Sequence, residues 1–203
     1  MSNKKLSSLV LLSLSSALVL AACGGEGSTA DSSESAGANG SDQVLNLIES
    51  AEIPTMDSVQ ATDTVAFTAL SNVNEGLYRQ GLDGTVELGI AAEDPTVSED
   101  GLVYTFTIRD DANWSNGEPV TAEDFVYSWR KLVDPASAAS YSYMMAGVVA
   151  NATEIIDSAV APEELGVKAI DEKTLEITLA SPVPYFKDLL TLAMFFPQNQ
   201  AFV

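Results

Sequence analysis

Between Gly24 and Ser41 the chain reads GGEGSTADSSESAGANGS, a stretch without one large apolar side chain. Small, polar and acidic residues of this kind cannot bury enough apolar surface to offset the entropy lost on ordering, so a flexible tether is expected here. The tether divides the chain. The fold must be built from the residues beyond it, about 160 in number, enough for one domain with its own core.

The segment before the tether has the layout of a targeting sequence. Lys4 and Lys5 supply a positive start, and Leu6 to Ala22 carry no charge and end in small residues. This predicts a secretory signal peptide over residues 1–22. A membrane span wants about 20 apolar residues, and here serines interrupt a shorter run. Cys23 is the only cysteine; it follows Leu20-Ala21-Ala22 and precedes Gly24-Gly25. That pattern resembles the bacterial lipobox, in which the cysteine thiol receives diacylglycerol and the signal is cut off just before it. The resemblance implies lipidation of Cys23, a lipid-anchored linker over residues 23–42, and a protein tied to the extracellular face of the cell membrane in the manner of Gram-positive lipoproteins. An ordinary signal peptide with an incidental cysteine is the other reading.

Composition narrows the function. The chain has 29 acidic and 9 basic residues and a net charge of −20. Two of the basic residues, Lys4 and Lys5, lie in the leader, so the remainder is more acidic still. Such a charge repels nucleic acid and argues against a DNA or RNA partner. The absence of histidine removes the usual general base, the usual zinc ligand and every Ser-His-Asp or Cys-His arrangement. An acylated Cys23 leaves no thiol for disulfides or catalysis. No cofactor or metal is expected, and an enzyme is not expected; carboxylate chemistry is the only kind left.

Past the tether, Val44 to Ile48 forms an apolar run that reads as a buried strand. A helix is predicted over about Thr64 to Tyr78, capped by Thr62 or Asp63, with Phe67, Leu70, Val73, Asn74 and Leu77 near one face. Gly81 to Gly84 reads as a turn. Val103 to Ile108 alternates, with Tyr104, Phe106 and Ile108 on one side, after an entry turn at Glu99-Asp100-Gly101. Asn113 to Gly117 is a second turn. Thr121 then starts a helix with Asp124 in near capping-box position; Phe125, Trp129 and Leu132 form its buried face, and Asp134-Pro135 ends it. Thr174 to Leu179 alternates again, and Tyr185 to Leu192 reads as a short helix. Helices and strands are mixed without strict alternation, which predicts an α/β class.

Few residues suggest chemistry. Asp111, Asn113 and Ser115 fit the first ligand positions of a calcium loop, but Asn116 stands where glycine is required and Ala122 where a glutamate is required. The neighbouring acids Glu93/Asp94, Glu123/Asp124 and Glu163/Glu164 show no acid–base geometry beyond adjacency, which 29 acids produce by chance. No glycine-rich phosphate loop is present. Tyr141 and Tyr143, beside Met144 and Met145, suit either core packing or a ligand pocket that accepts varied side chains.

The run WSNGEPVTAEDFVYSWRKLVDPASAASY, Trp114 to Tyr141, resembles the extracellular solute-binding proteins of peptide ABC transporters, solute-binding family 5, oligopeptide-binding group. SEDGLVYTFTIRDDANW, NEGLYRQGLDGTVELGIA and EELGVKAIDEKTLEITLASPVPYF are similar to the same family, so the resemblance runs from Val44 to Phe196. It implies a mixed-sheet α/β fold of the periplasmic-binding-protein type (type II, cluster C). The chain is expected to be an N-terminal lobe with an inserted small subdomain, the second lobe being absent, since the apolar run Leu192 to Pro197 near its end reads as continuing into a core. By this resemblance residues 43–74 begin the main subdomain, 75–194 form the inserted one, and 195–203 return to the first. The implied function is capture of oligopeptides and delivery to the permease subunits of an ABC importer. Ala61, Thr62, Asp63 and Thr64 match a loop whose backbone pairs with bound peptide, and Tyr141 matches a tyrosine lining the cleft. The same fold binding a dipeptide, nickel complex, haem, sugar oligomer or peptide pheromone stays open, as does a surface adhesion or signalling lipoprotein.

Overall fold

Two alternating segments far apart in sequence make the centre of the sheet. In the computed structural model, which describes residues 46–202, Val103–Thr107 and Thr174–Thr178 pair antiparallel with Phe106 opposite Leu175 and Tyr104 opposite Ile177. These are β4 (Val103–Thr107) and β6 (Thr174–Thr178); β3 (Thr96–Val97) and β5 (Val167–Ala169) flank them in the order β3-β4-β6-β5. Phe106, Leu175 and Ile177 are fully buried because period-2 alternation puts them on one face. A separate hairpin joins β1 (Tyr78–Gln80) to β2 (Val86–Leu88), and Asp83 closes its turn by accepting from the Thr85 N–H and hydroxyl. Every strand pair among the described residues is antiparallel.

Helix α2 (Ala122–Val133) packs against β5 and β6. Its apolar residues recur at helical spacing, so Phe125, Trp129 and Leu132 share one face and are fully buried. Burying side chains of this size stabilises by about 1.5–3 kcal/mol each. At its start the Asp124 carboxylate accepts from the Thr121 N–H and hydroxyl at 2.8 and 3.0 Å and from the Trp114 indole N–H at 3.2 Å. Glu123 and Asp124 in the first turn and Arg130 and Lys131 in the last oppose the helix dipole. The Trp129 indole N–H donates to the Phe195 carbonyl at 2.9 Å, and the Ser128 hydroxyl donates to the Phe196 carbonyl at 2.7 Å. Two short helices complete the layer, α3 (Ala152–Ile156) and α4 (Phe186–Leu189). A smaller cluster gathers Ala61, Ala66, Leu70, Ala193 and Phe196 around the helix α1 (Thr64–Val73).

Three expectations need correction. The helix predicted to reach Tyr78 stops at Val73, which is 72% exposed. Asn74 is extended there and its side-chain oxygen takes the Glu75 N–H. Gly76 then lies so close to the Phe196 ring and the Leu190 carbonyl that a side chain would not fit, and Tyr78 already belongs to β1. The buried strand predicted over 44–48 is absent where it can be seen: Leu47 and Ile48 are 65% and 98% exposed, with no ladder partner among the described residues. The helix predicted over Tyr185 to Leu192 is the single turn of α4, because Leu192 turns extended to open a 3-10 turn, Ala193–Phe195. The predicted signal peptide, Cys23 and the linker over 23–42 lie outside the described residues. Among those residues no helix is long and apolar enough to cross a membrane.

Candidate functional site

The segment Ala61 to Thr64 is the entry to α1, and its local chemistry sets its shape. Asp63 is extended and its carboxylate accepts from the Ala66 N–H at 3.0 Å, capping the helix. Ala61 is fully buried and donates its N–H to the Asp57 carbonyl at 2.9 Å, whereas Thr62 and Thr64 are exposed. The N–H groups of Thr62, Asp63 and Thr64 and the carbonyls of Ala61 and Thr62 have no backbone partner among the described residues. Asp63 is extended and Thr64 opens the helix, so the open donors here belong to a helix entry, where backbone N–H groups can meet the carbonyl oxygens of a ligand.

Tyr141 is half-buried and packs on the main core. Its ring lies 5.9 Å from that of Phe67 at 56° and 6.0 Å from that of Tyr143 at 41°; Tyr143 is 59% exposed. Phe67 stands one helical turn after Thr64 and touches both apolar clusters. It thereby links the open backbone at 61–64 to the Tyr141–Tyr143 pair. A second tie is the Gln60 side-chain amide, which donates to the Ser137 carbonyl at 2.8 Å. Sequence reasoning missed Phe67 as a site residue, although its i+3 spacing from Thr64 placed it on the helix beside the loop.

Asp94 and Asp124, one acid from each of two of the neighbouring pairs, have structural work. Asp94 accepts from the Tyr78 hydroxyl at 2.8 Å and from Lys187 at 2.7 Å, contacts with Lys187 foremost that hold its carboxyl below the usual range. Burial, then the Asp94 contact, pushes the Tyr78 phenol far above its ordinary value. Asp124 caps α2, and the Glu163 and Glu164 backbone carbonyls accept from Arg130 and Asn151. In the calcium-like stretch Asp111 pairs with Arg109 at 3.3 Å, and Asn113 donates to the Asp111 carbonyl. No three His, Cys, Asp or Glu among the described residues gather in a way that could hold a metal ion. Of two surface grooves of ≈650 and ≈510 Å³, the first runs along Tyr127, Arg130 and Ser137 and the second along Asn74, Arg79 and Leu192; Phe67 lines the second, and neither is lined by residues 61–64 or Tyr141.

Comparison with known proteins gives the family. Residues 85–202 match the family model described as bacterial extracellular solute-binding proteins, family 5 middle. The chain is 40% identical over 152 residues to a dipeptide-binding protein of Lactococcus lactis, covering 75% of this chain and 27% of that one. It is 36% identical over 197 residues to the oligopeptide-binding protein OppA of Bacillus subtilis, covering 97% of this chain and 36% of that one. The structure of Listeria monocytogenes OppA bound to peptide superposes with a TM-score of 0.76 at 49% identity, over 78% of this chain and 31% of that chain. The chain thus spans about a third or less of the length of these relatives.

Proposed function

Because this chain belongs to the bacterial extracellular solute-binding proteins, family 5, we propose that it forms one wall of a receptor that captures oligopeptides and delivers them to an ABC-type import permease. The observation that carries this reading is the entry to α1 at 61–64, where the N–H groups of Thr62, Asp63 and Thr64 and the carbonyls of Ala61 and Thr62 are unused by the backbone, with Phe67 on the same helix packing against Tyr141 and Tyr141 against Tyr143. Main-chain pairing holds a peptide of any sequence, and aromatic rings with polar tips accept varied side chains. Ala61, Thr62, Asp63, Thr64 and Tyr141 are the proposed peptide contacts, and no bond in the ligand is made or broken.

In this reading residues 43–74 and 195–203 belong to the main subdomain of the first lobe, and 75–194 to a smaller one inserted in it. The hydrogen bonds from Ser128 and Trp129 to the Phe196 and Phe195 carbonyls, and the packing of Phe196 on α1, support a return of the chain at that point. Closure of a second lobe over the peptide would turn binding into a shape that the permease recognises. Acylation of Cys23 would hold the receptor at the outer face of the membrane, with residues 24–42 as the tether.

The test is mass spectrometry of ligand released from the complete gene product after gentle purification. A ladder of short peptides of mixed sequence is expected. A single metal complex, sugar or dipeptide would overturn the oligopeptide assignment and keep the fold.

A further inference from the structure

Asp57 uses every polar group it has, and the chain runs from it directly into the segment Ala61 to Thr64. One carboxylate oxygen, Oδ1, accepts from the Val59 N–H at 3.0 Å and from the Gln198 amide at 2.6 Å; the other accepts from Lys131 Nζ at 2.8 Å. Its carbonyl accepts from the N–H groups of Gln60 and Ala61, and its own N–H donates to the Thr55 hydroxyl. Gln198 Nε2 also lies 2.9 Å from the Ser58 hydroxyl, and Gln198 Oε1 accepts from Lys131 Nζ at 3.1 Å. Ser58, Val59, Ala61 and Gln198 are all buried. Three pieces remote in sequence meet here: the turn before α1, the last turn of α2, and the strand-like exit after Phe196.

Apolar contact alone would hold these pieces together without fixing a direction. A carboxylate clamped by an ammonium and an amide fixes both distance and angle, because charge-assisted bonds are short and directional. We propose that Gln198, with Asp57 and Lys131, is a positioning device that sets how the backbone of 61–64 is presented. The proposal rests on the reading that this backbone pairs with a peptide. Lys131 from α2 is the charged group in contact with Asp57, and Gln198 contributes no charge. The neighbouring acids are engaged elsewhere, Asp63 capping α1 and Asp134 capping the 3-10 turn Pro135–Ser137.

Gln198→Glu in the complete gene product tests this, because it replaces a donor to Asp57 by a second carboxylate. Two carboxylates at this distance repel when both are ionised and take up a shared proton more readily than either alone, so repulsion at pH 7.5 should relax near pH 5. Amide exchange is compared with the parent at each pH. At pH 7.5, the Val59, Gln60 and Ala61 amides, which are bonded to Asp57, should exchange about tenfold faster, with residues 103–107 and 174–178 unchanged, and penta-alanine should bind about tenfold more weakly. Near pH 5 both differences should shrink. Gln198→Met, which removes the amide without adding charge, should show smaller effects and no recovery on acidification. Unchanged exchange at 59–61, or exchange accelerated equally in the sheet, overturns the proposal; so does faster exchange at 59–61 with unaltered affinity. If the parent fails to bind any peptide, the oligopeptide reading falls, and the exchange at 59–61 still decides whether Gln198 sets this backbone.

Discussion

The Gln198 carboxamide donates to Asp57 at 2.6 Å although 141 positions of sequence separate the two residues. Lys131 completes the group from the middle of the chain, so one carboxylate is shared by the turn before α1, by α2 and by the segment after Phe196.

Acidification should expose the contribution of this carboxylate. Burial is the largest single influence on Asp57 and pushes its pKa upward, but hydrogen bonds from Lys131 and Gln198, the Lys131 charge and the Val59 N–H outweigh it. The carboxyl is therefore held below its ordinary value of 3.8. A folded-state value that is depressed gives stability in full above the unfolded value, and that stability is lost as pH falls through the folded one. Lys131→Met should lower stability at pH 7 by about 1–3 kcal/mol, less than for a fully buried pair because both side chains are partly exposed. It should also remove part of the loss of stability below about pH 4. Asp83, Asp94, Asp100 and Asp171 are held low as well, so the difference between parent and variant isolates Asp57. Urea unfolding from pH 7 to pH 3 is the measurement, and parallel profiles would contradict the assignment.

Much of the fold is legible in the residues. The alternation around Phe106 and Ile177 and the 3.6-residue spacing of Phe125, Trp129 and Leu132 are strong local patterns, and Asp124 is visible as the partner of Thr121. The short strands β1, β2, β3 and β5 are not, because two or three residues carry no period of their own and form only when a neighbour pairs with them. The early end of α1 escapes for a related reason. Gly76 fits where it does because Phe196 and Leu190 approach from far along the chain. At the candidate site, Tyr141 and the loop at 61–64 came from family likeness, whereas Phe67 and the Asp57–Gln198 contact are tertiary facts.

Trp129→Phe should cost about 2–3 kcal/mol. It keeps an aromatic ring against Phe125 and Phe195 but leaves a cavity and strands the Phe195 carbonyl without its indole donor. A urea midpoint close to that of the parent would show that the carbonyl finds water or another donor.

Two glycines should respond for different reasons. A methyl at Gly89 would collide with the Gly76 carbonyl, a backbone atom that cannot swing aside, and Gly89→Ala should cost about 2 kcal/mol or more. Gly117 has open space around it but a φ of +87°, so Gly117→Ala should cost about 1 kcal/mol through backbone strain alone. Thermal unfolding of both variants should rank Gly89→Ala as the less stable; the reverse order would mean that the hairpin shifts to make room.

Peptide binding should depend on the aromatic set. In the complete gene product, Tyr141→Ala should weaken binding about tenfold, and Tyr141→Phe less. Residues 43–203 alone should bind poorly, since they match about a third or less of the relatives' length. Calorimetry with a peptide from the released pool checks both. A micromolar dissociation constant for residues 43–203 would show that one wall suffices.

Cys23→Ser should abolish incorporation of labelled palmitate and release the protein from the cell surface. Unchanged labelling would move the acyl group, and the anchor, to another residue.

Because β4 lies between β3 and β6, one of its edges has no partner until residues 174–178 have been synthesised, after α2, α3 and β5. Without β6, Phe106 lacks its cross-strand partner Leu175, and α2 lacks one of the strands it packs on. Pairings that span so much sequence form slowly and leave apolar edges open to wrong partners. The arrival of β6, rather than the growth of any local helix or hairpin, is thus the event that commits this region to its fold.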